Sequence, residues 1–248
     1  MNPVLAEILR TNIVKSESGK EFRLHSQIPV QEGLFLQEMV SRTKPGVSLE
    51  IGLGFGISAH FICEALSQLP HSRHIAIDRH QFEASATHIS FEGSGLHNLR
   101  LAGYDRLIEF HPEPSYLALP SLVSQGTKVD FAFIDGWHTF DYALTDFFYV
   151  DLLLRPGGVV VIDDTDFPSV WRLCRFIVTN LAYSVAGRVP LQSESTPGPR
   201  FSVTKSLWAV GDKIGSIIRG DGLSRHSRCI AFRKDADDTR SWDFHHRF

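Results

Sequence analysis

Cysteine is scarce in this chain of 248 residues: Cys63, Cys174 and Cys229 are an odd, widely separated set. They offer no disulfide frame and read as reduced core or semi-buried thiols of a cytoplasmic protein. The 12 histidines are scattered without zinc spacing, and the His245-His246 pair reads as a solvated end. An excess of one charge is lacking too. Lys and Arg total 25 against 28 Asp and Glu, a formal net charge of −3. That leaves no broad basic field for nucleic acid or an acidic membrane. No apolar run approaches the roughly 20 residues that cross a bilayer. The first ten residues include Glu7 and lack the apolar core of a secretory signal. There are no internal repeats and no long low-complexity segment. What remains is an ordinary globular balance, 43% hydrophobic and 21% charged. The expectation is a soluble protein of one sizeable α/β domain with additions, or of two small ones.

The densest signal is Glu50-Ile51-Gly52-Leu53-Gly54-Phe55-Gly56-Ile57-Ser58. Val47 to Ile51 has the unbroken apolar character of a buried strand, and Ile57 to Leu69 has helical spacing. Glycines between a strand and a helix let the backbone turn tightly and approach a ligand, while the helix amides point at it. A dinucleotide fingerprint needs its third glycine at position 57. The chain has Ile57 there, and the glycine comes one residue early. A tight turn without a ligand is the alternative.

Strand and helix patterns then alternate. Strands are expected at His74 to Asp78, Leu107 to His111, Val129 to Ile134 and Val159 to Ile162. Helices are expected at Gln81 to Glu92, Ser115 to Ser124, Thr139 to Leu154 and Pro168 to Leu181, the last opened by a proline. This alternation predicts βαβ units and a parallel sheet covered on both faces. After Arg188 the regularity fades. Pro190 to Phe201 reads as a loop or flap, Leu207 to Ile218 as a short helix, and Arg228 to Arg233 as a last strand paired with Tyr183 to Val189.

Ligands of open α/β sheets bind beyond the carboxyl ends of the strands. Asp78 ends the second strand of the series, about 20 residues past the glycines, where an acid grips the ribose hydroxyls. It also suits a helix N-cap. Asp135 follows the fourth strand; Asp-Gly is a hairpin signal, and Asp is also a cap, but a helix follows. Asp163 and Asp164 end the fifth strand and could likewise cap the helix at Pro168. Three carboxylates so close would repel unless something positive sits among them. A divalent cation is the economical answer, and oxygen ligands favour Mg2+ first, with Mn2+ or Ca2+ next.

These motifs resemble a known family. The spacing E-x-G-x-G-x-G is similar to motif I of class I S-adenosylmethionine (SAM) methyltransferases. Ile134-Asp135-Gly136-Trp137-His138, then a helix, then Pro156-Gly157-Gly158 and Ile162-Asp163-Asp164-Thr165 resembles the second half of the metal-dependent O-methyltransferases. These include caffeoyl-CoA and catechol enzymes and bacterial sugar O-methyltransferases. Glu32-Gly33-Leu34-Phe35-Leu36 is similar to the family's segment that approaches the methionine part of the cofactor. The resemblance spans roughly residues 28 to 182. It implies a Rossmann-like, doubly wound, mostly parallel seven-stranded sheet with helices on both faces. It assigns cofactor contacts to Glu32, Gly33, Glu50, Gly52, Gly54, Gly56, Ser58, Asp78, Arg79, Glu113 and Asp135. Glu113-Pro114-Ser115 stands where relatives meet the adenine with Gly-Asp or Gly-Ser. Asp135, Asp163 and Asp164 take the metal positions. His138 stands where plant members carry lysine and fits the D-G-x-H run of the bacterial natural-product branch. It is a base or substrate contact, or a structural residue at a helix start. The implied activity is Mg2+-assisted methyl transfer to a hydroxyl of a small molecule, with Asp135 or His138 taking the proton and a homodimer as the assembly. Residues 1–46 are then an N-terminal helical cap, and 47–248 the SAM-binding domain with a lid or oligomerisation insertion at 190–226.

Overall fold

The computed structural model describes every residue except 26, 85–89 and 192–221. Helix α1 (Pro3–Thr11) begins the chain, its first turn capped by the Asn2 side chain. A short antiparallel hairpin follows, β1 (Ile13–Lys15) and β2 (Glu21–Arg23), and then α2 (Val30–Thr43). The series β3 (Val47–Ile51), α3 (Ile57–Leu66), β4 (Arg73–Ile77), α4 (Ser94–Leu101), β5 (Ile108–His111), α5 (Ser115–Ser124), β6 (Val129–Ile134), α6 (Phe140–Leu153), β7 (Leu154–Ile162) and α7 (Pro168–Asn180) builds the sheet. Strands β8 (Tyr183–Pro190) and β9 (Ser227–Lys234) complete it.

The sheet order is β5-β4-β3-β6-β7-β9-β8. The first five strands run parallel, and β9 lies antiparallel to both β7 and β8. This is the doubly wound, mostly parallel seven-stranded fold that the motifs implied. One apolar layer packs Leu49, Ala132, Val160 and Ile230 against α6 and α7. The other packs Phe131, Phe133 and Val161 against α2 and α3. Leu5, Ile8, Val14, Leu36 and Met39 belong to that second layer, so the N-terminal segment, residues 1–46, shares the core of the sheet. The three cysteines are buried and unpaired, as expected. Among the described residues no helix is long and apolar enough to cross a membrane.

Of the expected helix at Gln81 to Glu92, residues 85–89 lie outside the described residues, and 81–84 and 90–92 are not α-helical. A single 3-10 turn spans Arg79–Gln81, and the regular helix begins at Ser94. The His80 and Gln81 carbonyls accept from the Phe91 and Gly93 amides, 2.9 and 2.7 Å away, so this backbone closes a loop instead of bonding four residues on. The helix after the glycines ends at Leu66, three residues sooner than expected. The expected helix at Leu207 to Ile218 and nearly all of the 190–226 insertion lie outside the described residues.

Candidate functional site

Register assembles the site. Ile51 pairs with Ile77 on one side and Ile134 on the other, and Ile134 pairs with Ile162. The residues one step beyond this apolar row are Gly52, Asp78, Asp135 and Asp163. Four distant stretches of sequence therefore deliver polar groups to one rim. A cleft of about 640 Å³ opens there, within the usual range for small-molecule sites.

The glycine loop is locked into place. Gly52 has φ +95°, and a Cβ on it would stand 2.0 Å from the Asp135 carbonyl oxygen. Only glycine lets the loop lie this close to the end of β6. The Gly54 amide donates to Asp78 Oδ2 at 2.8 Å, and the His80 amide donates to Oδ1 at 2.7 Å. Asp78 thus caps the 3-10 turn and pins the loop, while it also lines the cleft. The cap expected of it is found, on a 3-10 turn instead of an α-helix. Gly52, Gly54, Ser58, Arg79 and Glu113 line the same cleft, and Gly56 starts α3 just behind it in a left-handed conformation.

Three expected cofactor contacts sit elsewhere. Glu50 is fully buried beneath the loop: Ser58 Oγ donates to its Oε2 at 2.8 Å, and His74 Nε2 lies 3.2 Å from its Oε1. It positions the loop from below. Gly33 faces α3, where a Cβ would fall 2.2 Å from the Phe61 ring; its smallness serves helix packing. Glu32 is buried against Arg228, away from the cleft. Gln27 and Ile28 line the cleft on that side instead.

On the other side of the loop lies the acid cluster. Asp135 and His138 line the cleft. His138 Nε2 is 3.0 Å from Asp164 Oδ2 and 4.0 Å from Asp135 Oδ1. Ser169 Oγ donates to the His138 carbonyl at 2.5 Å, and the Phe167 ring meets the imidazole edge-on. Asp164 has φ +51°, a left-handed conformation that Asp and Asn tolerate better than other side chains. One ligand atom each from Asp135, His138 and Asp164 lies within 4.8 Å of the others, a spacing that fits a metal ion. Asp163, expected in this set, is not in that group. Its Oδ1 accepts from the Asp164 amide at 2.6 Å and its Oδ2 from Arg228 at 3.1 Å.

Arg228, on β9, is the residue that sequence reasoning missed. Its guanidinium lies 3.3 Å from Glu32, 3.1 Å from Asp163 and 2.7 Å from Asp164. A cation at the start of an otherwise buried strand was its only signal. Burial first, and then the charge of Asp163, pushes the Glu32 carboxyl up to about 9. Burial and the charges of Asp163, Glu32 and Asp164 hold Asp135 well above the usual carboxylate range. Trp137, Tyr142 and Tyr116 form an exposed aromatic string at the cleft wall, with ring centroids 6.4 and 6.3 Å apart.

The chain is similar to known proteins. Residues 49–165 match the model of a methyltransferase domain family. A protein of Arabidopsis thaliana named for the caffeoyl-CoA O-methyltransferases is 30% identical over 164 residues, which are 65% of this chain and 63% of that protein. The chain therefore spans less than two thirds of that relative. The O-methyltransferase TomG of Streptomyces achromogenes, involved in tomaymycin synthesis and solved with SAM, superposes with a TM-score of 0.60 at 20% identity. That match covers 94% of this chain and 89% of TomG. An O-methyltransferase of Bacillus cereus, solved in complex with SAH, gives 0.61 at 19% identity over 94% and 92% of the two chains. Residues 49–165 are thus similar to that methyltransferase domain, and the chain shares the fold of the solved methyltransferases.

Proposed function

We propose that the chain is a SAM-dependent O-methyltransferase that methylates a hydroxyl of a small molecule, such as a vicinal diol, catechol or sugar, with the help of a divalent cation, Mg2+ first. The observation that carries the reading is the single rim on which Gly52, Asp78 and Asp135 meet beside His138 and Asp164. The loop of Gly52, Gly54 and Gly56 with Ser58 holds the methionine end of the cofactor. Asp78 takes the ribose, and Arg79 and Glu113 flank the adenine side. The cradle fits: a Cβ on Gly52 would strike the Asp135 carbonyl, and one on Gly56 would crowd the Gly95 backbone at 3.1 Å. SAM supplies an electrophilic methyl on its sulfonium. Asp135, His138 and Asp164 would hold the cation, and its positive charge would acidify and orient the acceptor hydroxyl. The chain's own groups do the rest. Trp137, Tyr142 and Tyr116 shape the acceptor side, and the hydroxyl proton would pass to the Asp135 oxygen that the cation does not occupy, or to His138 where its imidazole does not hold the cation. The family resemblance adds a cytoplasmic homodimer to this reading.

A metal-independent methyltransferase of the same fold is the second reading, favoured by the guanidinium of Arg228 already seated on Asp163 and Asp164. A screen of vicinal diols, catechols and glycosides for methyl transfer, run with Mg2+ and with chelator, separates the two. Calorimetry with SAM against NAD tests the cofactor. Equal turnover in chelator and Mg2+ removes the cation, and NAD binding without SAM binding removes the whole reading.

A further inference from the structure

Carboxylates brought together need a compensating charge, and this cluster already contains one. Glu32 from α2 and Asp163 and Asp164 from the end of β7 converge on Arg228. The backbone that carries the guanidinium is held in turn. The Thr165 amide donates to the Arg228 carbonyl at 3.0 Å, and Thr165 Oγ1 donates to the Ser227 carbonyl at 2.8 Å. Those bonds tie β9 to the segment that carries both aspartates. Asp164 divides its oxygens: Oδ2 faces His138 at 3.0 Å, and Oδ1 faces Arg228 at 2.7 Å. One carboxylate therefore belongs both to the donor set of Asp135, His138 and Asp164 and to the arginine pair.

We propose that Arg228 is a resident counter-cation that positions Asp163 and Asp164 and competes with an exchangeable divalent ion for their charge. This rests on the cation reading above. With the arginine in place, the metal-free cluster stays assembled, and the site takes its ion only weakly. Like charges a few ångströms apart oppose one another strongly when partly shielded from water. Removing the guanidinium charge must then cost the metal-free protein stability and return that cost as affinity when an ion binds. Simple loss of packing has no such return.

The test compares the unmutated chain with Arg228→Gln, which keeps hydrogen-bonding capacity without charge, and Arg228→Lys, which keeps the charge. Titration with MnCl2, followed by calorimetry and by the paramagnetic signal of free Mn2+, reads the affinity. Arg228→Gln should bind Mn2+ at least tenfold more tightly, and Arg228→Lys should stay within threefold of the unmutated chain. In chelator Arg228→Gln should melt several degrees lower, with most of the loss regained in Mn2+. A folded Arg228→Gln with unchanged or weaker Mn2+ binding overturns the proposal. If the unmutated chain binds SAM but no Mn2+, the cation reading fails. In that case Mn2+ binding gained by Arg228→Gln still upholds the resident cation, and none gained overturns it. Should Arg228→Gln fail to fold, the Arg228 Nε–H resonance of the unmutated chain decides. Saturating Mg2+ should displace it, and an unmoved resonance refutes the competition.

Discussion

One methyl group added at Gly52 should do more harm than one added at Gly103, although the two share nearly the same backbone angle. Their φ values are +95° and +83°. Alanine at either position is therefore strained by about 1–2 kcal/mol. At Gly103 the new Cβ meets nothing within 4 Å, whereas at Gly52 it stands 2.0 Å from the Asp135 carbonyl oxygen. The loop and the end of β6 must part by roughly 1.5 Å to restore ordinary contact. Forced displacement of packed backbone adds about 1–3 kcal/mol. Melting temperature falls about 2–4 °C per kcal/mol in a chain of this size. Gly52→Ala should thus melt about 2–12 °C below Gly103→Ala. The same displacement moves the cradle against the cofactor, so SAM affinity by calorimetry should fall by about two orders of magnitude in Gly52→Ala and stay level in Gly103→Ala. Equal melting temperatures together with equal SAM affinities would refute the close-approach argument.

Asp135→Ala should abolish cation-dependent methyl transfer while SAM binding stays within a few-fold, because loop and ribose contacts are left intact; parallel loss of both in calorimetry and turnover contradicts that division. Asp164→Asn should keep the fold, since Asn accepts the left-handed φ of +51°, while Asp164→Ala should lose about 1–2 kcal/mol more in thermal melts. Both should lose divalent-ion binding, and an Ala variant as stable as the Asn variant speaks against backbone strain. His60 is fully buried in α3 with no partner for either ring nitrogen among the described residues, and burial lowers its pKa to about 4. The unfolded chain binds that proton near 6.5. The stability it contributes is complete above that value and is lost as pH falls toward 4, about 3 kcal/mol in all. Denaturant melts of His60→Leu should show a shallower acid slope, and an unchanged slope assigns the acid loss elsewhere.

Some of this was open to sequence reading and some was not, for physical reasons. Strands covered on both faces carry unbroken apolar runs, so Val47–Ile51 and Val129–Ile134 were bounded to the residue. Acids that follow such strands lie at the sheet's rim wherever the parallel topology holds, which made Asp78, after β4, and Asp135, after β6, legible. The region after Asp78 misled because its apolar spacing imitates a helix. Its carbonyls are taken by amides about ten residues on, a choice that periodicity does not record. Gly33 misled in a different way. A position that the resemblance assigned to the cofactor meets Phe61, and only packing shows it. Arg228 was out of reach altogether. Its partners stand 65 and 196 residues away, and nothing local to β9 names them.

The chemistry of the rim follows from one constraint of the sheet. Four isoleucines occupy one row, and each functional residue is the next one along its own strand. A one-residue slip in any strand would carry an acid into an apolar layer, at a cost far above a surface change. The core therefore enforces the register that the site needs, and the acids need no contacts of their own to be aligned. Asp164 is the exception that shows where the sheet's control ends. It follows Asp163 but leaves the row by a left-handed turn, with its carboxylate between His138 and Arg228. The strained residue is the one that faces both cations of the reading. That is where strain has a use, since it places one carboxylate where two positive partners can contend for it.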